Sequence, residues 1–365
     1  MKKLAIIGAS YLQLPLIETA KSMGIETHVF AWAANDVGET AADHFYPISI
    51  VEKEQILDKC REIGVDGICS IASDLAAITV NYVAAKMGLT GNSVRSSEIA
   101  TNKFEMRCAF AENGDPCPRF FCVDDVHRDF DLPFPVIVKP VDRSGSRGVT
   151  KVCRAEEIDP AIDKALAESF EKKAMIEEFV DGREYSVECI SYRGEHHLLA
   201  VTEKHTTGAP SFIETGHMEP APLTDETAAQ VKDVVFHALD TLEVKNGASH
   251  SEIKIDGSEI KIIEIGARMG GDLIGSDLVR YSTGIDFVRA VIEIALGNAP
   301  DLTPHGETCS VMCKYLLTRE DVEMYRKMQE TEPDRILKTV NFNPDGIGAF
   351  SDSSQRNGGV FVFRV

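Results

Sequence analysis

Ser251-Glu252-Ile253-Lys254-Ile255 and, a turn later, Glu264-Ile265-Gly266-Ala267-Arg268-Met269-Gly270-Gly271 form the stretch from which the rest of the chain is best read. Alternating apolar positions over Ser249–Ile255 and Ile260–Ile265, parted by Asp256-Gly257, predict a β-hairpin. A two-residue loop at Asp256-Gly257 would send Glu252 and Glu264 to opposite sides. A three-residue loop, Gly257-Ser258-Glu259, pairs Glu252 with Glu264 and stacks Ile253 on Ile263 over the apolar face. The second register serves burial and chemistry together. Two carboxylates directly opposite repel unless a cation lies between them. Such oxygen donors suit Mg²⁺, which bridges protein acids to substrate phosphates; the plainer alternative is a solvated pair of acids.

Working outward, Arg268 sits four residues after Glu264 and beside Gly270-Gly271. There it can grip a carboxylate or a developing oxyanion with two donors, while the glycines let backbone N–H groups approach. Upstream, Val136-Ile137-Val138-Lys139 reads as a strand ending in a lysine. Ser144-Gly145-Ser146-Arg147-Gly148 reads as a small-residue loop able to fold over phosphates. The loop does not match Gly-x-x-x-x-Gly-Lys-[Ser/Thr], which rejects a P-loop. Glu177-Glu178-Phe179-Val180-Asp181-Gly182-Arg183-Glu184 is either a solvated strand end or a nucleotide hinge. In the second case the backbone of 178–180 meets an adenine edge, Phe179 or Val180 packs on the ring, and Glu184 accepts from ribose. His205 and His217 fall in Thr202–Pro220, whose Gly, Pro and Thr content predicts a long loop of the active-site-cover kind. Each histidine has a structural reading beside it, and His217 is the better substrate contact.

The first 95 or so residues alternate strand and helix: strands at Lys3–Gly8, Glu26–Ala31 and Gly67–Ile71, helices at Leu14–Met23, Gln55–Ile63 and Asp74–Met87. That alternation predicts a parallel, helix-covered α/β sheet. The turn Gly8-Ala9-Ser10-Tyr11-Leu12-Gln13 is not Gly-x-Gly-x-x-Gly, which argues against a dinucleotide site. Beyond Gly91 the texture becomes α+β: a helix over Thr101–Glu112 carrying Lys103 and Arg107, a helix over Ala155–Phe170, strands at Ala174–Val180 and Tyr185–Ile190, and a long helix over Thr224–Leu242. Strand candidates close the sequence at Cys309–Leu317 and Val360–Val365.

Of 365 residues, 44% are hydrophobic and 26% charged, and the formal net charge is -20. The length points to two or three domains. The acidity disfavours nucleic acid and anionic membranes as main partners. No secretory signal or membrane span is read at the start, so a cytoplasmic location is expected. The nine cysteines include no Cys-x-x-Cys; this argues against zinc and for reduced thiols.

Taken in order, these pieces resemble the ATP-grasp superfamily, and within it the carboxylate–amine ligases that include L-amino acid ligases and carbamoyl-phosphate-synthase-like proteins. The resemblance spans roughly 1–300. It implies an N-terminal Rossmann-like domain (1–95), a helix linker and lid (96–185), and a C-terminal α+β domain with the metal site (186–365). Lys103 and Lys139 match the nucleotide lysines, and Ser144, Gly145 and Ser146 the closing loop. Glu177, Glu178, Phe179 and Val180 match the adenine hinge, and Glu184 the ribose acid. Glu252 and Glu264 match the acids that hold Mg²⁺, with Mn²⁺ as the alternative ion. Arg268 matches the catalytic and substrate-binding arginine, while His217 and Gly271 match amino-acid contacts. Gly266 departs from the pattern, since many members carry Asn there. The implied activity joins a small-molecule carboxylate to an amine through an acyl phosphate at the expense of ATP, and a homodimer is the default assembly. Rival readings are a purine- or carbamoyl-metabolism ligase of the same fold, a nucleotide-binding regulator without catalysis, and an NAD(P)-linked dehydrogenase.

Overall fold

The computed structural model describes residues 1–209, 212–348 and 353–365. Strands β1 (Lys3–Ile7), β2 (Glu26–Phe30), β3 (His44–Tyr46) and β4 (Gly67–Cys69) form a parallel sheet in the order β3-β2-β1-β4. Helices α1 (Leu14–Ser22), α2 (Val37–Ala41), α3 (Lys53–Ile63) and α4 (Asp74–Met87) accompany it. Leu4 and Ile6 pack against Leu16 and Ile17 of α1, while Ala5 and Ile7 meet Ile56 of α3 and Val83 of α4. Burial on both faces is why β1 reads as an unbroken apolar run. The turn after β1 is filled by its own glutamine: Gln13 Oε1 accepts from the Ser10 N–H at 3.1 Å, and Nε2 donates to Ile71 O at 2.8 Å. Gly8, at φ +104, lies where a Cβ would come within 2.9 Å of Gln13.

The helix expected over Thr101–Glu112 is α6 (Lys103–Asn113), and a separate helix, α5 (Val94–Thr101), precedes it. The chain breaks at Asn102, whose side chain accepts from the Phe104 and Glu105 N–H groups and caps α6. Lys103 thereby opens a helix instead of lying inside one. Next, β5 (Phe120–Val123), β6 (Val136–Pro140), β7 (Thr150–Val152) and β8 (Ala174–Glu178) form an antiparallel sheet in the order β5-β8-β6-β7. Val136, Val138 and Ile176 bury against Ile162 and Ala165 of α7 (Ile158–Glu168). That helix is shorter than the expected Ala155–Phe170, because a 3-10 turn precedes it and Ser169 is extended.

The largest sheet contains β9 (Arg183–Tyr192), β10 (Glu195–Thr206), β11 (Glu214–Glu219), β12 (Gly247–Asp256), β13 (Glu259–Gly266), β14 (Val311–Tyr315), β15 (Ile336–Val340) and β16 (Val360–Arg364). Its order is β13-β12-β9-β10-β11-β14-β16-β15, antiparallel throughout. Helix α8 (Asp225–Thr241) buries Val231, Val235 and Ala238 against Val187, Ile253 and Ile262. After α9 (Val279–Thr283), α10 (Phe287–Ala295) joins the sheets: Ala290, Val291 and Ile294 share one core with Leu16 of α1 and Ala248 of β12. Helix α11 (Arg319–Thr331) packs Val322 and Tyr325 on Phe361 and Phe363 of β16. All nine cysteines are free.

Two expectations about the large sheet change. Thr202–Pro220 is not a long loop: β10 and β11 pair Glu203 with Met218 and Lys204 with His217. Residues 207–213 connect them, of which 210 and 211 lie outside the described residues. The polar residues there sit on strands because burial alternates at Ala200, Thr202 and Lys204. The β12–β13 hairpin does set Glu252 opposite Glu264, but by another route. Asp256 pairs with Glu259 around a Gly257-Ser258 loop, Ile253 pairs with Ile262 instead of Ile263, and the register then shifts by one residue. Ile263 is the extra residue of a β-bulge. Ile262 and Ile265 stay in the core, and both Ile263 and Glu264 turn to the other side.

Candidate active site

A cleft of about 1040 Å³, counting its open mouth, lies between the β5–β8 sheet and one face of the β9–β13 strands. Lys103, Lys139 and the loop Ser144-Gly145-Ser146 line one wall. Glu177 and Glu178 at the end of β8, with Phe179 and Val180 just after it, run along it, and Glu184, Glu252, Glu264 and Arg268 line the opposite wall. Gly145 and Ser146 are consecutive left-handed residues, at φ +71 and +58, so their amides turn in a tight arc.

The cleft carries its charges in pairs. Lys103 contacts Glu264, and Lys139 contacts Glu177. Arg107, fully buried on α6, donates from Nη2 to Glu177 at 3.0 Å and to the bulged Ile263 carbonyl at 2.5 Å. One arginine therefore fixes both the partner of Lys139 and the bulge that aims Glu264. Burial lowers the Lys139 pKa, with Glu177 pulling it back.

Lys204 of β10 reaches Glu252 at 2.6 Å, Glu184 at 2.8 Å and Glu214 at 3.9 Å. Burial works against its charge, but the three carboxylates hold its pKa well above the usual lysine range. Burial likewise opposes ionisation of Glu252, while Lys204 and His250 hold its carboxyl well below the usual range. His250 lies between Glu188 Oε1, at 2.5 Å from its Nδ1, and Glu252, at 3.6 Å from its Nε2. Burial disfavours the imidazolium, yet Glu188 lifts the His250 pKa to about 9. Gly270 donates its N–H to Glu188 Oε2 at 3.3 Å, and a Cβ there would come within 2.7 Å of His250 Nδ1.

At the end of β8, the N–H groups of Glu178 and Phe179 donate to Arg119 O and Pro135 O, and Lys254 Nζ donates to Val180 O at 3.0 Å. The Phe179 ring lies under Lys151 Nζ, 3.4 Å from its centroid. Arg268 reaches back to the first sheet and holds Asp74, at the start of α4, through Nε–Oδ1 at 2.8 Å and Nη2–Oδ2 at 3.1 Å. A Cβ on Gly266 would sit 3.0 Å from the Arg268 guanidinium carbon and 3.1 Å from Asp74 Oδ1. The position where asparagine was expected is therefore occupied by this ion pair.

Residues 132–277 match the ATP-grasp domain family. Over 357 residues the chain is 28% identical to the alanine–anticapsin ligase of Bacillus subtilis, covering 86% of this chain and 74% of that protein. Its fold superposes on the L-amino acid ligase from Bacillus licheniformis with a TM-score of 0.83 at 24% identity, covering 100% and 93% of the two chains. Phosphoribosylglycinamide synthetase from Anaerococcus prevotii superposes at 0.77 with 20% identity, covering 100% and 94%. The chain carries an ATP-grasp domain.

Of the residues singled out from the sequence, His217 and Gly271 do not line the cleft. His217 is buried on β11, its Nε2 3.6 Å from Asp272 Oδ2. Asp272 is gripped by Arg356 at 2.8 and 2.9 Å. Gly271 packs near Ala72. The cleft residues that sequence reasoning missed are Lys204, His250 and Glu214, joined by Asp74, Glu188 and the paired role of Arg107. Lys204 had one usable signal, its place in the two-residue burial rhythm of Ala200 and Thr202.

Proposed function

We propose that this chain is an ATP-dependent ligase that joins a carboxylate to an amine through an acyl phosphate, with amino-acid-type substrates. The observation that carries the reading is a single cleft where two opposed acids, Glu252 and Glu264, face two lysines and a small-residue loop, with Arg268 beside them. The similarity to alanine–anticapsin ligase supports the choice of amino-acid-type substrates and makes alanine the first acid to try. Retention of both acids and Arg268 disfavours a regulator without catalysis. The division at 1–95, 96–185 and 186–365 belongs to this proposal, as do a cytoplasmic location and a homodimer. No helix among the described residues is long and apolar enough to cross a membrane.

In this reading the adenine edge meets Val180, because the Glu178 and Phe179 N–H groups are already donated. Phe179 packs on the ring and Glu184 accepts from ribose. Lys103, Lys139 and the amides of Ser144–Ser146 hold the phosphates. Glu252 and Glu264 are all-oxygen donors, each about one-quarter exposed (25% and 24%). They fit Mg²⁺ or Mn²⁺, which supplies neutralisation of phosphate charge when bound. A substrate carboxylate oxygen attacks the γ-phosphorus, the bond to the β-phosphate bridging oxygen breaks, and ADP leaves. The amine nitrogen then attacks the acyl carbon and loses its proton, and the C–O bond to phosphate breaks. Arg268, held in place by Asp74, stabilises the oxyanion of the second step. Gly271 contacts the substrate beyond the cleft, while His217, buried on β11, acts only through Asp272.

The test is phosphate release from ATP with Mg²⁺ over amino acids offered singly and in pairs, with the product read by mass. Release that needs a particular pair and gives an amide is the expected result, and Glu264→Ala should abolish it. Full turnover by Glu264→Ala, or no ATP binding at all, would sink the proposal.

A further inference from the structure

The β2–β3 pair carries a cluster that the ligase reading does not use. His28 and His44 are register partners on adjacent parallel strands, and Glu26 precedes His28 by two residues on the same face. His28 Nε2 lies 2.9 Å from Glu26 Oε1, and His44 Nε2 lies 3.3 Å from the same oxygen. One ligand atom from each residue falls within 4.8 Å of the other two. The two rings stack at 4.7 Å with 15° between their planes, so the pair is already aligned.

His28 is only 3% exposed, on a face otherwise filled by Ala5, Ile7 and Phe30, while His44 is open to solvent and gives an ion a way in. The second nitrogen of His28, Nδ1, is 3.1 Å from the Tyr46 hydroxyl. A hydroxyl both donates and accepts. Tyr46 can therefore accept from Nδ1–H and leave the Nε2 lone pair free, which is how a partner outside the ligand set orients a ligating histidine.

We propose that Glu26, His28 and His44 bind one divalent transition-metal ion of the zinc class through two imidazole nitrogens and one carboxylate oxygen. This donor set suits Zn²⁺, Ni²⁺ or Cu²⁺ better than Mg²⁺ or Ca²⁺. The expectation against zinc rested on cysteine spacing, and none of these donors is sulfur. Three protein ligands leave one coordination position for water. The ion clips β3, a three-residue edge strand, to β2, so its binding energy adds to the stability of the first sheet.

The experiment is calorimetric titration of Zn²⁺ into the chelator-treated, dialysed full chain with Mg²⁺ in excess. One Zn²⁺ per chain is expected. His44→Ala, at an exposed position, and separately Glu26→Gln should each weaken binding at least ~10-fold. Zn²⁺ should raise the melting temperature of the wild type more than that of His44→Ala. The double variant Glu252→Gln/Glu264→Gln should bind Zn²⁺ as the wild type does. Absence of stoichiometric binding overturns the proposal, as does unchanged binding in His44→Ala. Loss of binding in the cleft double variant overturns it too, because it puts the ion in the nucleotide cleft. Phosphate release is not part of the readout, so the result stands apart from the ligase reading.

Discussion

Asp74 and Arg268, 194 residues apart in sequence, are joined by two hydrogen bonds that fasten the first turn of α4 to the end of β13. Burial opposes the charge on each, and the partner overcomes it: the Asp74 pKa is lowered and that of Arg268 is raised. Arg268→Lys keeps the charge but loses the planar two-donor grip. It should lower the turnover number by about 100-fold with the KM for ATP little changed. Asp74→Asn, acting only through Arg268, should lower it by about tenfold. Steady-state phosphate release separates the two parameters, and a change in KM alone would argue against a role in the chemical steps.

Gly266→Asn tests whether the departure at this position is a lost ligand or a reserved space. The first atom of an asparagine side chain would meet the Arg268 guanidinium at 3.0 Å, so the arginine must move. Activity should fall towards that of Arg268→Lys. A more active Gly266→Asn enzyme would show that the site wants the missing amide.

Lys204→Met leaves Glu184, Glu214 and Glu252 clustered without their buried cation. Removing one partner from such a set costs about 3 kcal/mol or more. Urea unfolding should show that loss, and Glu252→Gln added to Lys204→Met should recover part of it. Additive losses in the double variant would mean that the lysine acts through packing.

Glu219 is fully buried on β11, accepts hydrogen bonds from Thr202 and Ser282, and is pushed up to about 8 by burial. A carboxyl raised this way releases its proton more readily in the unfolded chain. Its contribution to stability is therefore complete below the usual glutamate range and is lost as pH rises towards about 8. Glu219→Gln cannot ionise. Its melting temperature should gain on the wild type from pH ~5 to pH ~8 and then run parallel. A constant difference across that range would contradict the assignment.

Much of the cleft was legible because its residues stand in short runs with a local signature. Val138-Lys139-Pro140, the Ser/Gly loop and the Glu177–Val180 strand end each announce themselves within a few positions. Lys204 did not, because a lysine among polar residues reads as a solvated surface, and only the pairing of β10 with β9 and β11 shows that it is enclosed. Asp74 was read as the start of a helix, which it is; its second task depends on a partner no local pattern can supply. The hairpin shows another limit. Counting loop residues gave the right facing acids with the wrong turn, because a bulge at Ile263 restores the pairing that the shorter loop would have broken. The bulge depends on a carbonyl taken by Arg107, from a helix more than 150 residues earlier.

Strand β16 follows both β14 and β15 in sequence yet lies between them in the large sheet. A strand that arrives after its neighbours has to be inserted, not added at an edge. Until it is, β14 and β15 each present an unpaired edge, the template on which another chain can pair. Closing this part of the sheet is thus a late, non-local step of the kind that slows folding. In refolding, amide protection along β14, β15 and β16 should appear together, after that of the β9–β10 hairpin. During that delay the protein is most exposed to aggregation.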